Sequence, residues 1–302
     1  MVPAAGFELE AIRIRGVDRD APWKNLALPV VLPMGLRAGL RVVDRFKPDV
    51  VLGMGGYVMA PAVAAARIRH IPYVLHEKDV RPGLATRTFA RGAAVVCTTL
   101  PGTELRLKGV RTVQTGVPLR DGFVLRTPHV PPRRILVTGG SQGARRLNEA
   151  VWSALGGLTE RYEEVIHVAG AQGAAGVEAN RRERYTGMTF TDDMPALMAR
   201  ADLVISRAGV GTIAEATAVG LPMLLVPGTF GGGHQIENAT ALVRAGAAIQ
   251  IPDEELTGRQ LITVLDGFPY EHFRPMAEAS ARIGRRDAAE RVLDVLHQVS
   301  GK

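Results

Sequence analysis

The strongest constraint on this chain is a glycine-rich turn set between an apolar strand and a helix. Residues 203–205 run into Ser206-Arg207-Ala208-Gly209-Val210-Gly211-Thr212-Ile213-Ala214-Glu215, and Gly220-Leu221-Pro222 leads into a second apolar run ending at Pro227. The same alternation fills the second half of the chain. Strands are expected at residues 134–138, 165–169, 188–191, 203–206, 223–227 and 248–251, with helices that include 142–155 and 235–245. Strands alternating with helices call for βαβ units and a parallel sheet. Such sheets bind ligands beyond the carboxyl ends of their strands, and the free backbone N–H groups of a helix start there suit phosphate. Glycine also serves tight turns for geometry alone, so the turn has two readings. Glu215 lies one helical turn in, a place for a carboxylate that accepts hydrogen bonds from a ribose diol. His234-Gln235 and Asn238 open the next helix and bring a polar cluster to the same crevice.

The first half reads as a similar but shorter unit. Strands are expected at 8–14, 50–54, 73–76, 94–98 and 112–115, and helices at 36–46, 61–68 and 84–90. No strand, glycine loop and helix precede the strand at 8–14, so the unit lacks the opening of a doubly wound sheet. Between the halves stands Thr127-Pro128-His129-Val130-Pro131-Pro132, which no helix or strand interior accepts. Two domains follow, 1–126 and 133–302, each long enough to bury a core. The tail from Tyr270 is helical, with Pro275 near a start and Gly284 as a break. Its last helix, about 286–302, is expected to cross back and brace the first domain.

A net charge of +7 and a pI near 10.0 imply an anionic partner. Residues 26–47 are apolar and then basic, with Arg37, Arg41 and Arg45 on one helical face and Leu36, Leu40 and Val43 on another. Such a segment either lies on an anionic membrane surface or is a solvated helix packed on its own domain. Nucleic acid is not expected, because aromatics are only 5% and none interleave with a basic run. The longest apolar runs, at 93–97 and 223–226, are too short to span a bilayer, and no signal peptide is read. The single cysteine, Cys97, excludes an internal disulfide or a cysteine-rich metal site and fits a reducing cytosol. Its apolar surroundings make it a buried structural thiol.

A set of motifs in one order narrows the reading. Gly53-Met54-Gly55-Gly56-Tyr57, His76-Glu77, Gly116-Val117-Pro118-Leu119-Arg120, Gly139-Gly140-Ser141-Gln142-Gly143-Ala144, Phe190-Thr191-Asp192-Asp193-Met194, Arg207 to Glu215, and His234-Gln235 with Asn238-Ala239 together resemble the MurG family of N-acetylglucosaminyltransferases. The resemblance runs over essentially the whole chain. It implies the α/β GT-B fold, two Rossmann-like parallel-sheet domains facing a cleft, here with the N-terminal one incomplete. It implies an inverting transferase that moves N-acetylglucosamine from UDP-N-acetylglucosamine to lipid I, giving lipid II in peptidoglycan synthesis. Cytoplasmic residence, peripheral on the inner face of the plasma membrane, goes with that role, and no cofactor or metal is implied. By the same resemblance Thr191 contacts uracil through its backbone and Glu215 holds the ribose hydroxyls. Ser141 and the N–H groups of Val210, Gly211, Thr212, Ile213 and Ala214 hold the diphosphate. Gln235 bonds the sugar hydroxyls, and Arg120 approaches from the interdomain side.

Plainer readings stand beside these. Ser141 is equally a helix N-cap, Arg120 a solvated loop charge, His76 a buried core histidine and His234 a cap. Asp192 and Asp193 suggest a metal pair, but adjacent acids ahead of a helix more often cap it. Lys78 and Asp79 stand where the family has Gln-Asn, and Thr115 where it has Asn. The family's opening Gly-Gly-Thr-Gly-Gly-His loop, whose histidine is a leading candidate base, does not occur in this sequence. The catalytic base is therefore left open among the cleft candidates His76, Glu77 and Asp79. The expectation is a start assigned downstream of the gene's own, and a chain that as written binds donor with weak or no turnover. Two rivals are kept: a related UDP-sugar transferase using another lipid acceptor such as diacylglycerol, and a catalytically weak donor-binding subunit.

Overall fold

The computed structural model describes residues 3, 6–12, 14–16, 26, 28–140, 143–229 and 231–301. Its first sheet follows helix α1 (Leu28–Phe46) and holds β1 (Val51–Gly53), β2 (Tyr73–Glu77), β3 (Val95–Thr98) and β4 (Thr112–Gln114). Helices α2 (Ala60–Ile68) and α3 (Leu84–Phe89) connect them, and all four strands are parallel in the order β1-β2-β3-β4. Every residue of β2 and β3 is buried, as expected of parallel strands covered on both faces. Helix α1 starts eight residues before the predicted 36. Pro29 sits in its first turn, where a missing N–H costs nothing, and Pro33 is carried one turn later. Gly39 of α1 lies so close to the Pro61 carbonyl that a Cβ there would collide with it. This lets α1 pack on α2.

The predicted strand at 8–14 is corrected: the described residues of that segment form no strand, and Arg13 lies outside them. Phe7 and Leu9 are exposed, and Glu10 is tied to α1 through Arg45 at 2.9 Å. A strand needs a partner edge for its N–H and C=O groups, and this segment meets a charged helix surface instead.

The second sheet takes β5 (Arg134–Thr138), then α4 (Arg145–Arg161), β6 (Glu164–Val168), α5 (Ala174–Ala179), β7 (Tyr185–Met188), α6 (Met194–Arg200), β8 (Leu203–Ser206), α7 (Val210–Val219), β9 (Met223–Leu225), α8 (His234–Arg244) and β10 (Ala248–Gln250). All its strands are parallel, in the order β10-β9-β8-β5-β6-β7. Alternate residues feed two cores. Ile135 and Val137 of β5 join Leu147, Leu155 and Leu261 on one face, while Leu136 joins Ile166, Ile213 and Leu225 on the other. Two predicted bounds move. Helix α4 begins at Arg145 rather than 142, because Gly143 has a φ of +74°, which is not helical. Strand β7 ends at Met188, and residues 189–193 turn away as a loop. There Thr191 Oγ1 accepts the Asp193 N–H, and Asp193 Oδ1 caps α6 through the Ala196 N–H.

Helix α9 (Gly258–Gly267) covers the far face, and α10 (Phe273–Ile283) packs on α7. Gly284 then passes against the Thr217 carbonyl with no room for a side chain. Helix α11 (Ala288–Ser300) returns to the first sheet, where Val292 and Val295 bury against Val74, Val95 and Cys97. Cys97 is fully buried, and that burial pushes its thiol up to about 11, so it is an unreactive core residue. The connecting segment is held by Asp202. Its carboxylate accepts from the N–H groups of His129, Arg133 and Arg134, from the His129 ring and from Arg126 at 2.6 Å. Burial alone would raise its pKa; those donors outweigh it and hold the carboxyl below its usual value.

Candidate active site

The glycine turn lies at the carboxyl end of β8, beside the sheet's centre. Gly209 caps α7 with extended backbone and no side chain, so no cap side chain takes up the first-turn N–H groups. The Ile213 N–H already donates to Gly209 O at 3.1 Å, and Ala214 follows inside the helix. The open donors are those of Val210, Gly211 and Thr212, a narrower set than the five predicted. A Cβ at Gly209 or Gly211 would meet nothing within 4 Å, which leaves space for a ligand at these backbones. Arg207, at the head of the turn, points away. It is buried and pairs with Asp253 at 2.5 Å and with Val226 O at 3.1 Å.

Glu215 faces the same space from one turn further on. Burial raises its pKa, and the Arg120 guanidinium, 3.6 Å away, works against that rise. Arg120 also donates to the Asp192 carbonyl at 3.2 Å. Three segments predicted separately, the turn after Gly116, the 190–194 loop and α7, thus meet around one cation. Ser141 lies outside the described residues. The flanking backbone shows Gly140 at a φ of +76° with its N–H on Thr138 Oγ1, and the Gly143 N–H on Gly140 O.

Helix α8 closes the other side. Gly232 and Gly233 have left-handed backbone, and the helix begins at His234. Gln235 is half-buried, with Oε1 accepting the Gly228 N–H at 2.9 Å. Asn238 has a different job. Wholly buried, it accepts the Val80 N–H at 3.0 Å and donates to Asp79 Oδ1 at 2.8 Å and to Ala208 O at 3.3 Å. One side chain therefore ties the first domain, the glycine turn and α8 together. Outside it, Glu237 pairs with Arg106 at 2.5 Å and Arg81 donates to Gly232 O at 3.2 Å.

Two of the three candidate bases are buried. His76 is fully buried and donates Nε2–H to Gly116 O at 2.7 Å, with its Nδ1 unpartnered; burial lowers its pKa. It holds the turn that leads to Arg120. Glu77 is 5% exposed and accepts the N–H groups of Asp79 and Gly83, so it shapes its own loop. Of the three, Asp79 lies at the interdomain contact, accepting from Asn238. Sequence reasoning missed Val80, Arg81, Arg106 and Glu237 in this contact. The partners lie more than 130 positions apart, and no spacing rule reaches that far.

A six-stranded parallel sheet and a smaller parallel sheet across a cleft define a two-domain α/β protein of the GT-B fold. The glycosyltransferase family 28 C-terminal domain matches residues 134–292, and the family's N-terminal domain matches residues 1–98. A UDP-N-acetylglucosamine–N-acetylmuramyl-(pentapeptide) pyrophosphoryl-undecaprenol N-acetylglucosamine transferase of Nocardioides sp. is 38% identical, over 98% of this chain and 85% of its own length. The protein of the same name from Exiguobacterium sp. is 35% identical, over 99% and 87%. The crystal structure of Acinetobacter baumannii MurG superposes with a TM-score of 0.76 at 26% identity, over 98% of this chain and 87% of that one. The chain belongs to glycosyltransferase family 28 and, within it, to the MurG transferases.

Proposed function

We propose that this chain transfers N-acetylglucosamine from UDP-N-acetylglucosamine to the undecaprenyl-linked muramyl-pentapeptide acceptor, lipid I, and so forms lipid II of peptidoglycan synthesis. The observation that carries this is the near full-length relationship to transferases named for that reaction, on a fold whose second domain starts α7 with a side-chain-free glycine cap. In this reading the open N–H groups of Val210, Gly211 and Thr212 receive the diphosphate, together with the loop that contains Ser141. Glu215 accepts the ribose hydroxyls, the backbone at Thr191 meets the uracil, and the amide of Gln235 meets the sugar. Arg120, already placed over Glu215, turns to the phosphates when the nucleotide enters.

The chemistry follows from these placements. An acceptor hydroxyl oxygen attacks the anomeric carbon from the face opposite the diphosphate, and configuration inverts. The bond to the diphosphate oxygen breaks with its electron pair, and the hydroxyl proton passes to a base. Charge growing on the departing UDP is met by the α7 N-terminus and by Arg120, donors fixed before the reaction begins. Asp79, the carboxylate at the cleft, accepts from Asn238 and clasps the domains there.

The acceptor is membrane-borne, and α1 is the surface we assign to the bilayer. Val30, Leu32 and Met34 are exposed at its apolar end, followed by exposed Arg37, Arg41 and Arg45. No helix among the described residues is long and apolar enough to cross a membrane, so this reading is of peripheral attachment. The test is transfer of radiolabelled N-acetylglucosamine to a lipid I analogue and to diacylglycerol. Label in a lipid-linked disaccharide from lipid I is expected; transfer to diacylglycerol instead, or UDP-sugar binding with no transfer to either, overturns the proposal.

A further inference from the structure

Four polar side chains remote from the reacting groups form one unbroken chain of hydrogen bonds behind the glycine loop that carries Gly139, Gly140 and Gly143. Asn148 and Trp152 stand one turn apart on α4, His167 is in β6 and Tyr185 in β7. Trp152 Nε1 donates to Tyr185 Oη at 3.0 Å, and Tyr185 Oη meets His167 Nδ1 at 3.1 Å. His167 Nε2 meets Asn148 Oδ1 at 3.1 Å, and Asn148 Nδ2 donates to the Ala169 carbonyl at 2.8 Å. His167 is wholly buried and Asn148 is 4% exposed.

The two ends permit a single polarity. An indole N–H only donates and a carbonyl only accepts. Asn148 must therefore turn its oxygen to His167, whose Nε2 carries the proton, and Tyr185 must give its proton to a bare Nδ1. Each ring nitrogen of His167 and the Tyr185 hydroxyl then has a partner of the right kind. Burial favours the neutral ring this needs, pulling His167 down to about 4.

The chain ends on the glycine loop. The Asn148 N–H donates to Ala144 O at 2.9 Å, while its side chain grips Ala169 O. That carbonyl is the wall against which Gly143 lies, for a Cβ on Gly143 would stand 2.5 Å from it. Asn148 thus fixes the spacing between the loop's exit and the end of β6, and His167 fixes the rotamer of Asn148.

We infer that His167, acting through Asn148, is a positioning residue for the glycine loop that receives the donor diphosphate. This rests on the functional reading given above, in which that loop and the α7 N-terminus share the diphosphate. His167 touches no substrate. Its effect is confined to the phosphate end of the donor, because uracil and ribose are held from the 190–194 loop and from α7.

Calorimetry of the full chain with UDP and with uridine tests it. His167→Phe keeps an aromatic ring and removes both hydrogen bonds. UDP affinity is expected to fall about tenfold, the scale of one lost hydrogen bond in a buried network, with uridine affinity unchanged. His167→Gln presents an acceptor and a donor on one rigid terminal group and is expected to restore UDP binding. An equal fall for both ligands, or no fall for UDP, overturns the inference. Ser141→Ala separates it from the reading beneath it. If that change leaves the UDP-to-uridine ratio untouched, the loop does not hold the diphosphate; if it lowers the ratio while His167→Phe does not, only the positioning role fails. Should the Phe variant not fold, nitrogen NMR of the unaltered protein decides. A neutral ring protonated on Nε2 is expected at pH 6 to 8, and an Nδ1–H tautomer or a cation there overturns the inference.

Discussion

Glu215 carries the donor reading at the level of single residues. Its carboxylate must be ionised to accept from two ribose hydroxyls, and burial raises its pKa. Glu215→Ala is expected to weaken UDP-N-acetylglucosamine binding by about 1.5–3 kcal/mol, the range for hydrogen bonds to a charged group; unchanged calorimetric affinity removes Glu215 from the site. Because the folded pKa is raised, protonation begins at a higher pH than for an ordinary carboxylate. Donor affinity should therefore decline early as pH falls, and Glu215→Gln should flatten that decline. Asp79 asks a separate question, since its contact with Asn238 is a hydrogen bond that an amide oxygen can also accept. Asp79→Asn is expected to keep transfer within a few-fold while Asp79→Leu loses it by opening the clasp. A loss of about 10²–10⁴ in Asp79→Asn, the usual worth of a general base, would instead make Asp79 the base. The sequence announced both residues, yet not their difference in role, because burial and partners separate them and spacing does not.

Among the elements, α1 shows how far periodicity reads. Three arginines at four-residue intervals and the opposing leucines predicted a basic amphipathic helix, and the helix is there. Its earlier start came from tolerated prolines, and its packing on α2 came from Gly39, whose need for closeness has no periodic signal. The exposed apolar end gives a direct expectation for membranes. The protein should co-sediment with vesicles containing anionic lipid and leave them as salt rises. Arg37→Glu, Arg41→Glu and Arg45→Glu together should abolish this while leaving UDP affinity unchanged. Equal binding by the triple variant moves the membrane face elsewhere. Strand β7 and the start of α4 were misplaced by three residues each. Side-chain caps and a left-handed glycine ended those elements, and hydrophobic pattern is blind to both.

For the whole molecule, the two sheets are joined by Asp202 at the connector, Asn238 across the cleft and α11 on the first domain's sheet. Asp202 holds the connector as a carboxylate with a lowered pKa, so its contribution is present above the ordinary value of 3.8 and is lost as pH falls below it. Asp202→Ala is expected to cost about 1–3 kcal/mol, since it leaves part-buried donors without their acceptor, and to shrink the loss of stability on acidification. Urea unfolding at neutral and acid pH measures both, and an unshifted midpoint would mean that the connector is held otherwise. The sequence by itself determined the alternation of strands and helices and the glycine turn at the end of β8, because these depend on neighbours within a few residues. Tertiary structure alone decided that His76 and Glu77 serve the interior, that Arg120 lies over Glu215 and that Asn238 spans the cleft. Each of those depends on burial or on partners far along the chain, which local spacing does not encode. The turn from Arg207 to Glu215 stood in the sequence as either a cradle or a bend. What tips it toward a cradle is that its first N–H groups are left open, beside a half-buried carboxylate and opposite a second domain.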